Sequence, residues 1–98
     1  MIVRIVKMKF KEEHSSRFIE IYKTVKPFIL KCKGCIAVNL LIDVNDSRVM
    51  STISEWETEN DLNQYRDSEL FGITWSEVKQ LFEDKPQANS YNKLESSL

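Results

Sequence analysis

Six side chains have the types and spacing to hold a small aromatic molecule and an anion on it: Trp56, Trp75, Tyr65, Phe71, Thr52 and Arg4. The two indoles and Phe71 offer flat faces for stacking on a planar ring, and Tyr65 adds a hydroxyl that could reach a ring oxygen. Phe82 and, upstream, Phe18 are further aromatics that could line the same space. Thr52 and Ser54 share strand parity with Trp56, so all three project from one face of a sheet. Arg4 has the parity of Val6 and would stabilise a negative charge if it turns inward. Each of these residues also has a plainer use as core packing, a turn contact or surface charge, and for the aromatics core packing is the favoured expectation.

Other chemistry finds less support. Cys32-Lys33-Gly34-Cys35 has redox spacing, but it follows a helix instead of opening one. Gly34 reads as the helix C-cap and Cys35 as the first residue of the next strand, so the helix dipole opposes a thiolate, while Lys31 and Lys33 favour it. Ordinary thiols are expected, and two cysteines alone cannot build a structural zinc site. The sole histidine, His14, falls near the start of a helix and is expected to be solvated. No paired carboxylates, nucleophile with an adjacent base, glycine-rich phosphate loop or metal-ligand cluster occurs, so hydrolase and kinase chemistry lacks its parts.

Charge and size narrow the partners. The chain has 98 residues with 14 Lys and Arg against 15 Asp and Glu, a net charge of −1. That length suits one domain spanning residues 1–98, able to bury about two thirds of its unfolded surface. Residues 1–48 hold ten basic and five acidic side chains, and residues 49–98 hold four and ten. Lys23, Lys26, Lys31 and Lys33 could form a basic face for an anionic partner, but two solvated helices that attract each other across a surface are the expected explanation of the split. A mildly acidic domain without a concentrated basic stripe argues against nucleic acid. No apolar run reaches the roughly 18 residues of a membrane helix, and the start goes straight into a strand pattern without a secretion signal. No membrane partner and a cytoplasmic location are expected.

The elements that must position the six residues follow from periodicity. Ile2–Phe10 is apolar on both parities and reads as a central strand. From Glu13 to Lys31 an apolar stripe of Phe18, Ile21, Tyr22, Val25, Phe28 and Ile29 predicts a helix on a sheet, with a kink or restart near Lys26 because of Pro27. Ile36–Asp43 alternates, with Ile36, Val38, Leu40 and Ile42 on one face. Asn45-Asp46-Ser47 turns the chain into a second strand, Arg48–Trp56. Thr58 with Asp61 caps a short helix over Leu62 and Tyr65, and Ser68 restarts it through Phe71, Thr74, Trp75, Val78, Leu81 and Phe82. Gln87–Leu94, after Pro86, reads as a weaker edge strand.

Strand, helix, strand, strand, broken helix, strand is the ferredoxin-like α+β arrangement, βαββαβ, with two helical segments over one face of a four-stranded antiparallel sheet. The other face stays bare. It would carry apolar groups over an area unusual for a monomer, so a homodimer formed sheet against sheet is expected.

In this order the chain resembles the antibiotic biosynthesis monooxygenase-like family of dimeric α/β barrels, which includes quinol monooxygenases and haem-degrading enzymes. The likeness spans about residues 1–94. It rests on Met1-Ile2-Val3-Arg4-Ile5-Val6 in the first strand, Gly34-Cys35 before the second, Glu55-Trp56 closing the third and Ser68-Glu69-Leu70-Phe71 opening the last helix. The haem-degrading branch needs an asparagine, a tryptophan and a histidine; here Val6, Trp56 and Trp75 stand at those positions. An indole N–H has no lone pair to offer iron, so haem binding in that mode is not expected. The other chemistry the resemblance implies is oxygenation of a deprotonated phenol or quinol without metal, flavin or any other cofactor. The protein then supplies a shaped apolar pocket, a hydrogen bond that favours the phenolate, and exclusion of water. The alternative is a non-catalytic dimeric module that binds a small molecule.

Overall fold

The structure, a computed structural model, describes residues 1–94. Its elements are β1 (Ile2–Lys9), α1 (Ser15–Leu30), β2 (Cys35–Ile42), β3 (Val49–Trp56), α2 (Glu59–Arg66), α3 (Glu69–Val78) and β4 (Gln87–Asn92). Single 3-10 turns at Glu12–His14 and Lys79–Leu81 lead into α1 and out of α3. The strands form one antiparallel sheet in the order β2-β3-β1-β4, the ferredoxin-like order.

Register decides which residues face the helices. Ile2, Arg4, Val6 and Met8 of β1 stand opposite Trp56, Ser54, Thr52 and Met50 of β3. On β2, Val38 and Leu40 stand opposite Ser54 and Thr52 and so share that face. Phe18, Ile21, Tyr22 and Ile29 of α1 close over them with Leu62 of α2 and Val78 of α3. Val3, Ile5, Ile53, Ala37 and Leu41 fall on the other face, which no helix covers. Leu41 is 49% exposed there and Tyr91 of β4 is 51% exposed.

Both helix starts in the second half are built by side chains. The Thr58 hydroxyl accepts the Asp61 N–H at 3.0 Å, and the Ser68 hydroxyl accepts the Phe71 N–H at 3.2 Å while donating to the Tyr65 carbonyl at 2.6 Å. Ser68 therefore ends one helix and begins the next, the expected break near Asp67. The β2–β3 turn is held by Asp43, which accepts the N–H groups of Asn45 and Asp46, and by Asp46, which accepts from the Arg48 backbone and guanidinium.

Several expectations are corrected. The helix does not restart at Pro27: α1 runs on to Leu30, because so near its end the missing N–H frees one carbonyl, that of Lys23, and the last turn still closes. Phe28 is 56% exposed instead of buried; Ile29, eleven residues after Phe18, returns to the inward side, whereas Phe28 lies about 80° away at about 100° per residue. Lys31, not Gly34, caps α1. Gly34 closes the following turn at φ +79°, and a Cβ there would run into the Asp61 side chain, so glycine is required twice over. The register slips between Cys35 and Ala37, which makes Ile36 the extra residue of a bulge and leaves it 44% exposed. Ile42, beside the turn, is also half exposed. The last strand ends at Asn92, short of Leu94.

Candidate functional site

Between the helices and the sheet lies a partly open cavity of about 90 Å³. The sheet contributes its floor, with Arg4, Val6 and Met8 from β1, Thr52 and Ser54 from β3, and Val38 from β2. Its walls come from α1 (Phe18, Ile21, Tyr22, Val25, Ile29), from Leu62, Tyr65 and Arg66 of α2, and from Phe71, Thr74, Trp75 and Val78 of α3. Carbon dominates, with polar groups at a few points, the pattern of a small-molecule site.

Five of the six candidate residues meet at this cavity: Trp75, Tyr65, Phe71, Thr52 and Arg4. Trp56 does not line it. Expected as a wall, Trp56 is wholly buried, stacked behind Tyr65 with ring centroids 5.0 Å apart, and it donates its indole N–H to the Ser54 hydroxyl at 2.9 Å. It thereby orients two lining residues without touching the space itself. From Trp56 the contacts continue ring to ring through Tyr65, Phe71, Trp75, Phe82, Phe10 and Phe18, at centroid separations from 4.4 to 5.7 Å. This aromatic run joins the cavity wall to the buried core.

The polar groups differ in state. Arg4 donates to the Ser90 hydroxyl of β4 at 3.0 Å. Burial lowers its pKa, and the positive charge of Arg66 lowers it further, yet a guanidinium remains protonated. Burial raises the pKa of Tyr65 well above the ordinary phenol range, with Cys32 and Cys35 adding to the shift, so at neutral pH Tyr65 is a donor and not a base. Tyr22 is only 8% exposed, and its hydroxyl is buried with no hydrogen-bond partner. Burial raises its pKa too. An unsatisfied buried hydroxyl costs about 1–3 kcal/mol.

The sequence reading missed Tyr22 and Arg66 as site residues. Tyr22 was legible only as one member of an apolar stripe, although its hydroxyl was the sole polar atom in that stripe. Arg66 sits at the last position of α2, where the break at Asp67-Ser68 brings it to the cavity edge.

Elsewhere, burial raises the pKa of both thiols, with Cys32 adding to the shift of Cys35, while weak bonds run to the Phe28 and Ala37 carbonyls. They are held protonated at neutral pH, unlike a redox cysteine at a helix N-terminus. His14 is a correction: its Nδ1 is buried without a partner, so the ring is not simply solvated, and it does not line the cavity. Among the described residues no three His, Cys, Asp or Glu side chains are placed to hold a metal ion, and no helix is long and apolar enough to cross a membrane.

Fold and site together define an α+β ferredoxin-like protein with an aromatic-walled cavity between its sheet and its helices. The chain belongs to the antibiotic biosynthesis monooxygenase family, whose sequence profile matches residues 1–73. Comparison of the sequence with curated proteins finds no match. Solved structures agree in fold. A conserved protein of Methanosarcina mazei is 23% identical with a TM-score of 0.88, covering 95% of this chain and 93% of its own. A Mycobacterium tuberculosis protein is 11% identical with a TM-score of 0.91, covering 99% and 98%. SnoaB, a cofactor-independent oxygenase of Streptomyces nogalater, is 9% identical with a TM-score of 0.86, covering 97% and 94%. At these identities the structural likeness establishes the fold alone.

Proposed function

We propose that this chain is a cofactor-independent monooxygenase of a small phenol or quinol. The observation that carries this reading is Arg4: a cationic residue in the floor of an apolar, aromatic-walled cavity, its guanidinium hydrogen-bonded to Ser90 of the edge strand and paired to no carboxylate among the described residues. A cation in a low-dielectric pocket favours the ionised form of a phenol that enters. The phenolate supplies the electrons. A ring carbon ortho or para to the phenolate oxygen, and bearing hydrogen, bonds to O₂, the resulting hydroperoxide loses water, and a quinone leaves, so that one phenol and one O₂ give one quinone and one H₂O. Tyr65, held neutral by burial, donates to the ligand's oxygen, and Phe71 and Trp75 hold the ring flat.

The active form proposed is a homodimer joined through the uncovered sheet face, which presents Val3, Ile5, Leu41 and Ile53 with no helix against them. Membership of a monooxygenase family and the neighbourhood of a cofactor-independent oxygenase support the class of reaction.

Oxygen consumption with a panel of single-ring phenols and quinols tests the reading. Uptake above the buffer rate is expected, abolished in Trp75→Ala and Arg4→Gln and retained in Lys23→Ala, which changes an exposed residue of α1. No uptake with any compound would leave the chain as a binding module without turnover.

A further inference from the structure

Arg4 is not the only cation at the cavity. Arg66, at the end of α2, lines the same space, and it is close enough to Arg4 for its charge to lower the Arg4 pKa. The two guanidiniums come from distant points of the chain, β1 and α2. Among the described residues neither makes an ion pair. Two like charges brought together beside an apolar space repel, and that arrangement is stabilised when an anion lies between them. Arginine suits this use, since its planar fork grips a carboxylate through two parallel bonds and is weakly hydrated.

Position separates the two. Arg4 springs from a central strand and is half-buried in the floor, whereas Arg66 is exposed at the rim. A ligand that met only Arg4 would need no second charge near the mouth. One that carries its own fixed negative group would be gripped at the rim by Arg66 and drawn down toward Arg4, with its ring against Phe71 and Trp75.

We infer that the cavity selects aromatic molecules that carry a fixed anionic group, a carboxylate on the ring, seated between the guanidiniums of Arg4 and Arg66, with Arg66 the specificity-determining residue. This rests on the aromatic-ligand reading above and deepens it by naming the substrate class. Arg66 is thereby a binding residue whose loss leaves the pocket shape intact.

The test is a matched pair of probes of nearly equal shape, 4-hydroxybenzoate and 4-hydroxybenzamide, titrated against the intrinsic fluorescence of the protein at pH 7. The native chain is expected to bind the acid at least about tenfold more tightly than the amide, since hydrogen bonds to a charged acceptor are about twice as strong as neutral ones. In Arg66→Gln that preference falls to within about threefold while amide affinity is unchanged; Arg66→Lys keeps part of it. Raising salt weakens the acid and not the amide. Equal binding of both probes by the native chain overturns the inference and leaves the aromatic-cavity reading standing. A preference that survives in Arg66→Gln also overturns it, because the selection then lies elsewhere. Binding of neither probe overturns the inference together with the reading beneath it.

Discussion

Trp56 and Trp75 look interchangeable in the sequence and do different work in the structure, so truncating each to alanine must give opposite patterns of damage. Trp56 is wholly buried, and a buried aromatic side chain removes about 150–250 Å² from water, worth roughly 4–6 kcal/mol at about 25 cal/mol per Å². Alanine keeps only the first carbon of that, and the stack on Tyr65 and the bond to Ser54 go with the indole. A loss of about 3–5 kcal/mol follows, a large part of what holds a domain of this size folded. At roughly 4–8 °C per kcal/mol the melting temperature falls by about 12–40 °C. Trp75 is only half-buried and borders a space already partly empty, so Trp75→Ala costs about 1–2 kcal/mol and shifts the melt by about 4–16 °C. Its larger effect is on the ligand: one stacking face is gone, and affinity for 4-hydroxybenzoate drops about tenfold. Trp56→Phe, which keeps a ring against Tyr65, should bind within about threefold of the native chain. Melting followed by far-ultraviolet circular dichroism and calorimetric titration of the ligand measure the two quantities. If Trp56→Ala melts within about 5 °C of the native chain, or if Trp75→Ala proves the less stable of the two, the division into pillar and wall is wrong.

Tyr65 makes stability fall in alkali. Its folded pKa is raised above the roughly 10 of an unfolded tyrosine, so its contribution is complete below about pH 10 and is lost as pH climbs beyond that. Urea midpoints between pH 8 and pH 11.5 should fall more steeply for the native chain than for Tyr65→Phe, and parallel curves would remove Tyr65 as the cause. The proposed dimer is read from the bare sheet face, where Ile5 and Ile53 stand opposite each other. Sedimentation equilibrium should give twice the chain mass for the native protein and the single mass for Ile53→Lys with its helical content intact; a native protein at the single mass refutes the interface.

The order of elements was legible because each carries its own period or cap: alternation in β3, a three-and-four stripe in α1, hydroxyl caps at Thr58 and Ser68. What was not legible depends on tertiary register. Ile36 alternates correctly with Val38, yet the bulge at Cys35/Ala37 turns it outward, and nothing local in Cys35-Ile36-Ala37 announces an unpaired residue. Trp56 has the parity of Thr52 and Ser54 and does face the helices, but parity fixes a face and not a depth. Tyr65 lies over it and takes the cavity position. Pro27 misled in the other direction, since a general rule for helix interiors weakens in a last turn where few carbonyls remain to be bonded. Arg66 was hidden because the sequence shows only a polar residue at a helix end, and its relation to Arg4 exists only once β1 and α2 are brought together.

The floor of the cavity gives the strongest reason to regard the space as functional and not as imperfect packing. β1 and β3 are the two inner strands, and their helix-facing positions are where period-two patterning calls for aliphatic side chains. Ile2, Val6, Met8 and Met50 obey; Arg4, Thr52 and Ser54 do not. These three polar residues are neighbours, Arg4 directly opposite Ser54 and Thr52 one pair further along opposite Val6. Burying polar groups there costs free energy that valine or leucine would not. The departure is confined to the patch beneath the joint of α2 and α3, where Ser68 ends one helix and starts another and so sets Tyr65, Phe71 and Trp75 around one space. A single straight helix could not present those rings from two axes. Polar floor and broken roof each weaken the fold by the ordinary rules of packing, and they coincide at one place, as local departures from foldability do where a sequence is constrained by a ligand.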